Sequence, residues 1–289
     1  MKPGPAAVAD LILRSTNLEA APLEITEIIA AKILEQNWYD EVAASEKAES
    51  WQAPVLVRLQ RELSSLQELG RPARIAFNSS SEYILQGACF VEPNEDPEVA
   101  KQKQRRAKLP TYAALLQELT PVEFEKMCGK LIGLLGVQNP TVTRSSADEG
   151  IDFFGILSMK SMFYPQDVFP TLQTQLSIWI VGQAKRYQQI QAGTAEVRSL
   201  VGSVALGRAA AFGSLQSPFA DLRIRPADPV FVILATTGSF SSNAWRLLQR
   251  SGVIGFDGEM MAAFLADRSI GIKIGVGLDE STFKQWLEA

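Results

Sequence analysis

Residues 176–188 read LSIWIVGQAKRYQ, an apolar run that ends in Gln183, Lys185 and Arg186. Such a run is typical of a strand in the middle of a sheet, where both faces are covered. A lysine at the end of a buried strand is costly, so it is usually rare or useful. Because strand side chains alternate between faces, Gln183 and Lys185 point the same way, about 7 Å apart. Gln183 and Lys185, the Q-x-K pair, therefore form one feature at the end of this predicted strand.

A second strand is predicted over residues 151–157, within DEGIDFFGIL. Alternation places Asp152 on the same face as Phe154 and Ile156, so an acid interrupts an apolar strand face. No helix pattern separates this strand from the one at 176–184, which predicts a hairpin. In a hairpin Asp152 comes beside the Q-x-K pair. Taken singly, an Asp within a strand most often lies at the edge of a sheet. A Lys at the end of a strand most often extends into solvent. Packing alone does not readily explain an acid on one buried strand together with Q-x-K at the end of the next strand.

The helix TPVEFEKMCGKLIGLLG supplies a third candidate. Thr120 is a good N-cap, and Glu123 three residues later completes a capping box, so Glu123 has a structural role. Glu125 lies just beyond the edge of the predicted buried stripe, about 100° from Phe124 on the helical wheel. We expect Glu125 to face the same site, with a solvated side chain as the alternative. The buried stripe is predicted to contain Phe124, Cys128, Leu131 and Leu135.

The chain from residue 110 onwards alternates helices and strands, which predicts an α/β domain with a mixed central sheet. The first two strands form the hairpin, and the later strand-helix-strand order predicts parallel crossovers. Neither a G-x-G-x-x-G nor a Walker-type loop follows any predicted strand. Strands are predicted at 151–157, 176–184, 229–236, 253–256 and 272–276, and helices at 121–135, 195–211, 242–250, 258–267 and 280–288.

The N-terminal part reads as a smaller α+β domain. Helices at 23–36 and 52–69 precede a two-stranded ribbon that turns between Asn78 and Ser81, an order that fits a winged helix. Two interpretations stay open: the helix at 52–69 enters a DNA groove, or the domain contacts proteins. The arginines expected near the DNA backbone in the first interpretation are Arg58, Arg61, Arg71 and Arg74. The predicted domains are 1–95, a charged linker at 96–110 and 111–289.

Composition excludes several classes of protein. The 289 residues are 46% hydrophobic and 21% charged, which is ordinary for a globular protein. The absence of histidine excludes Ser-His-Asp and Cys-His catalysis. Two cysteines, Cys89 and Cys128, are too few for a disulfide framework and are predicted to be buried. The net charge of −4 argues against a purely electrostatic nucleic-acid binder. No run reaches the roughly 20 apolar residues that a membrane helix needs, so a cytoplasmic, membrane-free protein is expected.

An ordered set of segments resembles a known family. The segments TPVEFEKMCGKLIGLLG, DEGID, VGQAKRY, EVRSLVG and LATTGSFSSNA, followed by GEMMAAFL, resemble the catalytic domain of Mrr-type restriction endonucleases. This group is a branch of the PD-(D/E)xK nuclease superfamily in which Gln replaces the middle acid. The resemblance covers about residues 117–270 and does not extend to 1–110.

The resemblance implies Mg²⁺-dependent hydrolysis of DNA phosphodiester bonds, with Mn²⁺ as an alternative cofactor. It implies that Asp152, Glu125 and the backbone carbonyl of Ala184 bind the metal. Gln183 offers an amide oxygen without adding charge, and Lys185 holds and polarises the attacking water. The residues expected at a positive rim that contacts DNA are Lys130, Arg144 and Arg186.

Within this family, activity is associated with restriction of foreign or modified DNA, as in antiviral defence, and a homodimer or larger assembly lets two sites cut both strands. Two alternatives remain. One is a non-catalytic DNA-binding or assembly subunit with an endonuclease-like fold. The other is a structure-specific repair nuclease with the same site. The base, modification or structure that is recognised stays open.

Overall fold

The computed structural model of the chain describes residues 2–143, 150–157, 177–188, 190–209, 222–273 and 277–289. The chain divides into two compact units. Unit 1 comprises Met1–Pro110 with Ala263–Ser269, and unit 2 comprises Thr111–Ala262 with Ile270–Ala289. Among the described residues, every helix is too short or too polar to cross a membrane.

The N-terminal part of unit 1 combines three helices with a small antiparallel sheet. Both β1 and β2 pair with β3, so the sheet order is β1-β3-β2. The ribbon of β2 and β3 turns between Asn78 and Ser81, as predicted. The elements are α1 (Pro5–Ser15), β1 (Leu23–Glu24), α2 (Ile25–Glu35), α3 (Glu41–Glu68), β2 (Ile75–Asn78) and β3 (Ser81–Gly87).

Helix α3 begins at Glu41, earlier than the start at residue 52 that hydrophobic spacing predicted. Asp40 caps it, since the Ala43 N–H donates to Asp40 Oδ1 at 2.8 Å. The first turns bury only Ala44 and Ala48, and small side chains give a weak periodic signal. Pro54 lies inside the helix, where proline removes one backbone hydrogen bond and usually ends a helix. These features hid the first half of α3 from sequence analysis.

The core of this unit consists of aliphatic side chains that α1, α2, α3 and the sheet contribute. Three isoleucines one helical turn apart line the buried face of α2: Ile25, Ile29 and Ile33, each with no exposed surface. Full burial of such a side chain contributes about 1.5–3 kcal/mol. This stripe is what anchors α2 to the rest of unit 1.

The charged segment after the ribbon is helical. Asp96 caps α4 (Pro97–Arg106), and α5 (Leu109–Glu118) follows. Two of its cations are paired within unit 1. Lys103 Nζ lies 2.6 Å from Glu95, and the Arg106 guanidinium donates to both oxygens of Asp267 at 2.8 and 2.6 Å.

Unit 2 is built on a five-stranded mixed sheet with the order β4-β5-β6-β7-β8. β4, β5 and β6 are antiparallel, which confirms the predicted hairpin, and β6, β7 and β8 are parallel, which confirms the predicted crossovers. The strands are β4 (Val137–Val142), β5 (Phe153–Leu157), β6 (Ile178–Lys185), β7 (Val230–Thr236) and β8 (Ile254–Phe256), and the helices that follow α5 are α6 (Pro121–Leu134), α7 (Thr194–Arg208), α8 (Ser242–Ser251), α9 (Gly258–Asp267) and α10 (Glu280–Glu288).

Strand β6 is buried from Trp179 to Ala184. On one face Trp179 and Val181 pack with Phe154, and residues of α7 and α8 complete the cluster. Helix α6 packs against β4, β5 and β6. Its predicted capping box between Thr120 and Glu123 is present. An unbroken apolar strand with helices on the sheet is the α/β arrangement that the sequence predicted.

Two elements at the edges differ from the sequence prediction. β4 was missed because Pro140 and the positive φ of Asn139 (49°) interrupt it, and the register shifts between Gln138 and Thr141. The strand predicted over 272–276 is shorter. β9 (Ile272–Lys273) pairs with β10 (Gly277–Leu278) in a separate two-stranded sheet, and 274–276 lie outside the described residues.

Candidate active site

The polar end of β6 begins inside the sheet. Gln183 is only 3% exposed, and its Oε1 atom is buried without a hydrogen-bond partner among the described residues. Lys185, two residues later, is half-buried at the strand end. A buried acceptor without a partner costs about 1–3 kcal/mol, so natural proteins keep few of them. Gln183 is therefore a candidate for binding something other than the protein itself.

Asp152 immediately precedes β5, and the hairpin brings it beside the Q-x-K pair. The register opposes Phe153 to Gly182, and the Asp152 N–H donates to the Gly182 carbonyl at 2.9 Å. The Ala184 N–H in turn donates to Asp152 Oδ2 at 2.7 Å. This charge-assisted bond holds the carboxylate at the end of β6.

The backbone before Asp152 passes close to Gln183. Gly150 has a φ of +75°, and a Cβ at this position would lie 2.5 Å from Ser203 Oγ and 3.4 Å from Gln183 Nε2. Only glycine combines this backbone conformation with so close an approach. The chain can therefore reach Asp152 without displacing the amide of Gln183.

Glu125 projects from α6 into the same electrostatic environment. Its side chain is half-buried rather than fully solvated. Burial raises the pKa of Glu125, the carboxylate of Asp152 raises it further, and Lys185 opposes both by lowering it. Two carboxylates that repel each other near one lysine are an arrangement that a bound cation would stabilise.

The family comparison matches this region of the chain. Residues 116–215 match the family model Mrr_cat, which is described as a restriction endonuclease. Residues 116–215 are thus similar to an Mrr-type restriction endonuclease domain. The matched segment contains Glu125, Asp152, Gln183 and Lys185. The predicted resemblance is confirmed, and so is the predicted fold class, a mixed central sheet flanked by helices.

Solved restriction endonucleases are also similar to the chain, at low identity. MspJI in complex with a 27-mer oligonucleotide is 18% identical, with a TM-score of 0.42, over 68% of this chain and 39% of that one. The DNA modification-dependent enzyme AspBHI is 15% identical, with a TM-score of 0.41, over 73% and 46%. FokI bound to DNA is 11% identical, with a TM-score of 0.31, over 92% and 44%. The chain thus spans less than half the length of each. No curated protein matches it.

The three cations predicted for a positive rim around the candidate site differ in their surroundings. Arg186 Nη2 donates to the Gln117 carbonyl at 2.9 Å, so part of its guanidinium serves the fold. Lys130 Nζ lies 5.5 Å from the centre of the Trp286 ring, a cation–π distance. Arg144 lies outside the described residues. Contact of these side chains with DNA stays a prediction.

Sequence analysis assigned no role to Glu196, at the start of α7. The Tyr187 hydroxyl donates to Glu196 Oε1 at 2.8 Å, and the Gly193 N–H donates to Oε2 at 2.9 Å. Burial raises the pKa of Glu196, but its own N–H, Tyr187, Gly193 and Lys185 outweigh burial and lower it. Its place in the segment EVRSLVG, three residues after Gly193, was the available signal.

The described residues near the end of β6 supply few charged ligands for a metal ion. Among them, no three side chains of His, Cys, Asp or Glu lie close enough to hold an ion by themselves. A cation at the end of β6 would therefore need the two carboxylates together with neutral oxygens, such as Gln183 Oε1 and the Ala184 carbonyl. Mg²⁺ accepts that type of ligand set, because it keeps several waters and needs only one or two carboxylates.

Proposed function

We propose that the chain is a metal-dependent endodeoxyribonuclease that acts in restriction of foreign or modified DNA. The observation that carries the proposal is the buried Oε1 of Gln183 beside Asp152, which has no hydrogen-bond partner among the described residues and lies within a segment that matches an Mrr-type catalytic domain. An acceptor oxygen next to a carboxylate is a group that can bind a cation. A nuclease needs such oxygens for a cation.

Mg²⁺, or Mn²⁺ in its place, suits the oxygen atoms at the end of β6. Asp152 and Glu125 would hold it with their carboxylates, and Gln183 and the Ala184 carbonyl would complete the protein ligands. When bound, the metal lowers the pKa of a coordinated water and offsets charge on the phosphate. Because Gln183 brings no charge, we expect weaker metal binding than at a site with three acids.

The protein groups have separate tasks around the scissile phosphate. Lys185, with its three N–H donors, orients the attacking water and stabilises the negative charge that develops on the phosphate oxygens. The Ala184 N–H fixes the orientation of Asp152. Lys130 and Arg144 are the proposed contacts to the DNA backbone. A homodimer, in which two such sites cut opposite strands, completes the proposal, and the cytoplasm is its expected location.

The test is cleavage of methylated and unmethylated plasmid with Mg²⁺ or with EDTA. We expect metal-dependent cleavage by the native chain and a loss of about 10²–10³-fold or more in Lys185→Met and in Asp152→Asn, as when a transition-state donor is removed. Lys101→Met is the matched control. Lys101 is an exposed lysine of α4 that pairs with Glu98, so its loss should leave cleavage unchanged.

The outcome separates the nuclease from the other candidate functions. Cleavage that survives in both Lys185→Met and Asp152→Asn would contradict the proposed site. DNA binding without cleavage in any metal would favour the non-catalytic subunit. Preference for branched over linear DNA would indicate a repair nuclease with the same chemistry.

A further inference from the structure

A cluster of hydrogen bonds lies directly after the Q-x-K strand, and we name its members, Gln117, Arg186, Tyr187 and Thr237, the Gln117 cluster. Its first contact joins β6 to helix α5. Arg186 Nη2 donates to the backbone carbonyl of Gln117 in the last turn of α5. The last carbonyls of a helix have no partner inside the helix and carry partial negative charge. A guanidinium at this point therefore both satisfies a carbonyl and complements the helix dipole.

The second contact joins α5 to the end of β7, and the third joins the ends of β6 and β7. Gln117 Nε2 donates to the Thr237 carbonyl at 2.7 Å. The Thr237 hydroxyl accepts from the Tyr187 N–H at 3.1 Å and donates to the Tyr187 carbonyl at 3.0 Å. Thr237 is 4% exposed, so these bonds are shielded from water. The cluster thus fixes three chain segments to one another.

The Gln117 cluster adjoins both the strand end that carries Lys185 and the start of the helix that carries Glu125. On one side, Arg186 directly follows Lys185, which is paired in register with Thr236 of β7. On the other side, α5 ends close to Thr120, the N-cap of the helix that carries Glu125. The cluster attaches the end of α5, which leads directly into α6, to the ends of β6 and β7.

We propose that Gln117 is a positioning residue that holds Glu125 in place relative to Lys185 and Asp152, an inference that rests on the proposed metal-dependent function. Gln117 lies eight positions before Glu125, outside the oxygen atoms assigned to the metal. Residues that orient metal ligands typically contribute about 10–100-fold to metal affinity or activity. Arg186 belongs to the same positioning cluster in this proposal, rather than to the surface that contacts DNA.

The test measures Mn²⁺ binding to the full chain by electron paramagnetic resonance, together with Tm. Gln117→Leu keeps the size of the side chain and removes the donor to Thr237. We expect about a tenfold weaker Mn²⁺ Kd. The matched control is Tyr112→Phe in the same helix, which removes a 2.5 Å hydrogen bond to the Ile270 carbonyl. This control should lower Tm but leave the Mn²⁺ Kd unchanged.

A second pair of variants covers the case in which Gln117→Leu does not fold. Thr237→Val removes the hydroxyl that bonds to Tyr187 and should weaken Mn²⁺ binding, whereas Thr237→Ser keeps the hydroxyl and should bind like the native chain. A native Mn²⁺ Kd in the folded Gln117→Leu and Thr237→Val variants would overturn this inference alone. If the native chain binds no Mn²⁺, the proposed function fails and this inference fails with it.

Discussion

Two buried glutamines, one in each unit, differ in the hydrogen bonding of their side chains. Gln86 of unit 1 is 2% exposed, and both of its side-chain polar atoms are paired: it accepts from Asn78 and donates to Glu92, each at 2.7 Å. Gln183 of unit 2 is as deeply buried, but its Oε1 has no partner among the described residues. Gln86 therefore has a structural role that its surroundings fully explain. The amide oxygen of Gln183 is therefore available, among the described residues, to bind a ligand.

Two arginines of the N-terminal part, Arg58 and Arg74, are hydrogen-bonded within that part, as Gln86 is. Arg58 donates to Asp10 at 2.8 Å, and Arg74 donates to the Thr16 carbonyl at 3.4 Å. Residues 1–95 also contain eight Lys and Arg against 14 Asp and Glu. A surface with this charge repels phosphate. Both interpretations of this part stay predictions, and its acidic net charge weighs against a helix that enters a DNA groove.

The largest predicted effect comes from adding a methyl group at one glycine in each unit. A Cβ at Gly182 would lie 2.1 Å from the Phe153 ring, and a Cβ at Gly87 would lie 2.2 Å from the Leu18 carbonyl oxygen. Gly182→Ala and Gly87→Ala should each lower the free energy of unfolding by about 1–3 kcal/mol or more, as measured by urea denaturation.

Cleavage should separate these two glycine variants. Gly182 and Phe153 are the neighbours of Gln183 and Asp152, so only Gly182→Ala should lose cleavage well below its Tm. Equal losses of cleavage in both variants would show that unit 1 contributes to the reaction as directly as unit 2.

The next effect comes from adding a charge to each glutamine. Gln183→Glu supplies a third acid beside Asp152, and we expect it to tighten Mn²⁺ binding about tenfold, since ligand charge sets the affinity for hard cations. Mn²⁺ should accordingly raise its Tm more than that of the native chain. Gln86→Glu places a carboxylate against Glu92, so it should be less stable with or without Mn²⁺. An unchanged Mn²⁺ Kd in Gln183→Glu would place the metal elsewhere.

The smallest predicted effect comes from removing one positively charged side chain in each unit. Lys130→Ala removes one proposed phosphate contact, which should lower the slope of log K against log salt by about one in a filter-binding titration. Arg61→Ala should leave the slope unchanged, since Arg61 is an exposed side chain of α3 in the acidic N-terminal part. If Arg61→Ala lowers the slope and Lys130→Ala does not, the DNA-binding surface belongs to unit 1.

The sequence predicted the parts of unit 2 that local patterns determine. The apolar run of β6, the hairpin with β5 and the cap of α6 follow from alternation, spacing and one Thr-x-x-Glu box. The neighbourhood of Asp152 and Gln183 followed because a hairpin register brings together residues that are distant along the chain, whereas Glu125 was predicted from its position on the helical wheel of α6. The predicted burial of Cys89 and Cys128 is also confirmed.

Other features depend on contacts that no local pattern encodes. The bonds from Gln117 to Thr237 and from Arg186 to Gln117 link residues 120 and 69 positions apart. β4 was hidden by Pro140, and the first half of α3 by small buried alanines. In each case tertiary packing overrides a weak or contrary local preference.

The most direct test of the metal site is a crystal structure of the full chain soaked in Mn²⁺, with anomalous diffraction data to locate the ion. We expect one anomalous peak within coordination distance of an Asp152 carboxylate oxygen and close to Gln183 Oε1. A crystal that binds Mn²⁺ only at sites remote from Asp152 and Gln183 would contradict the proposed metal site at the end of β6.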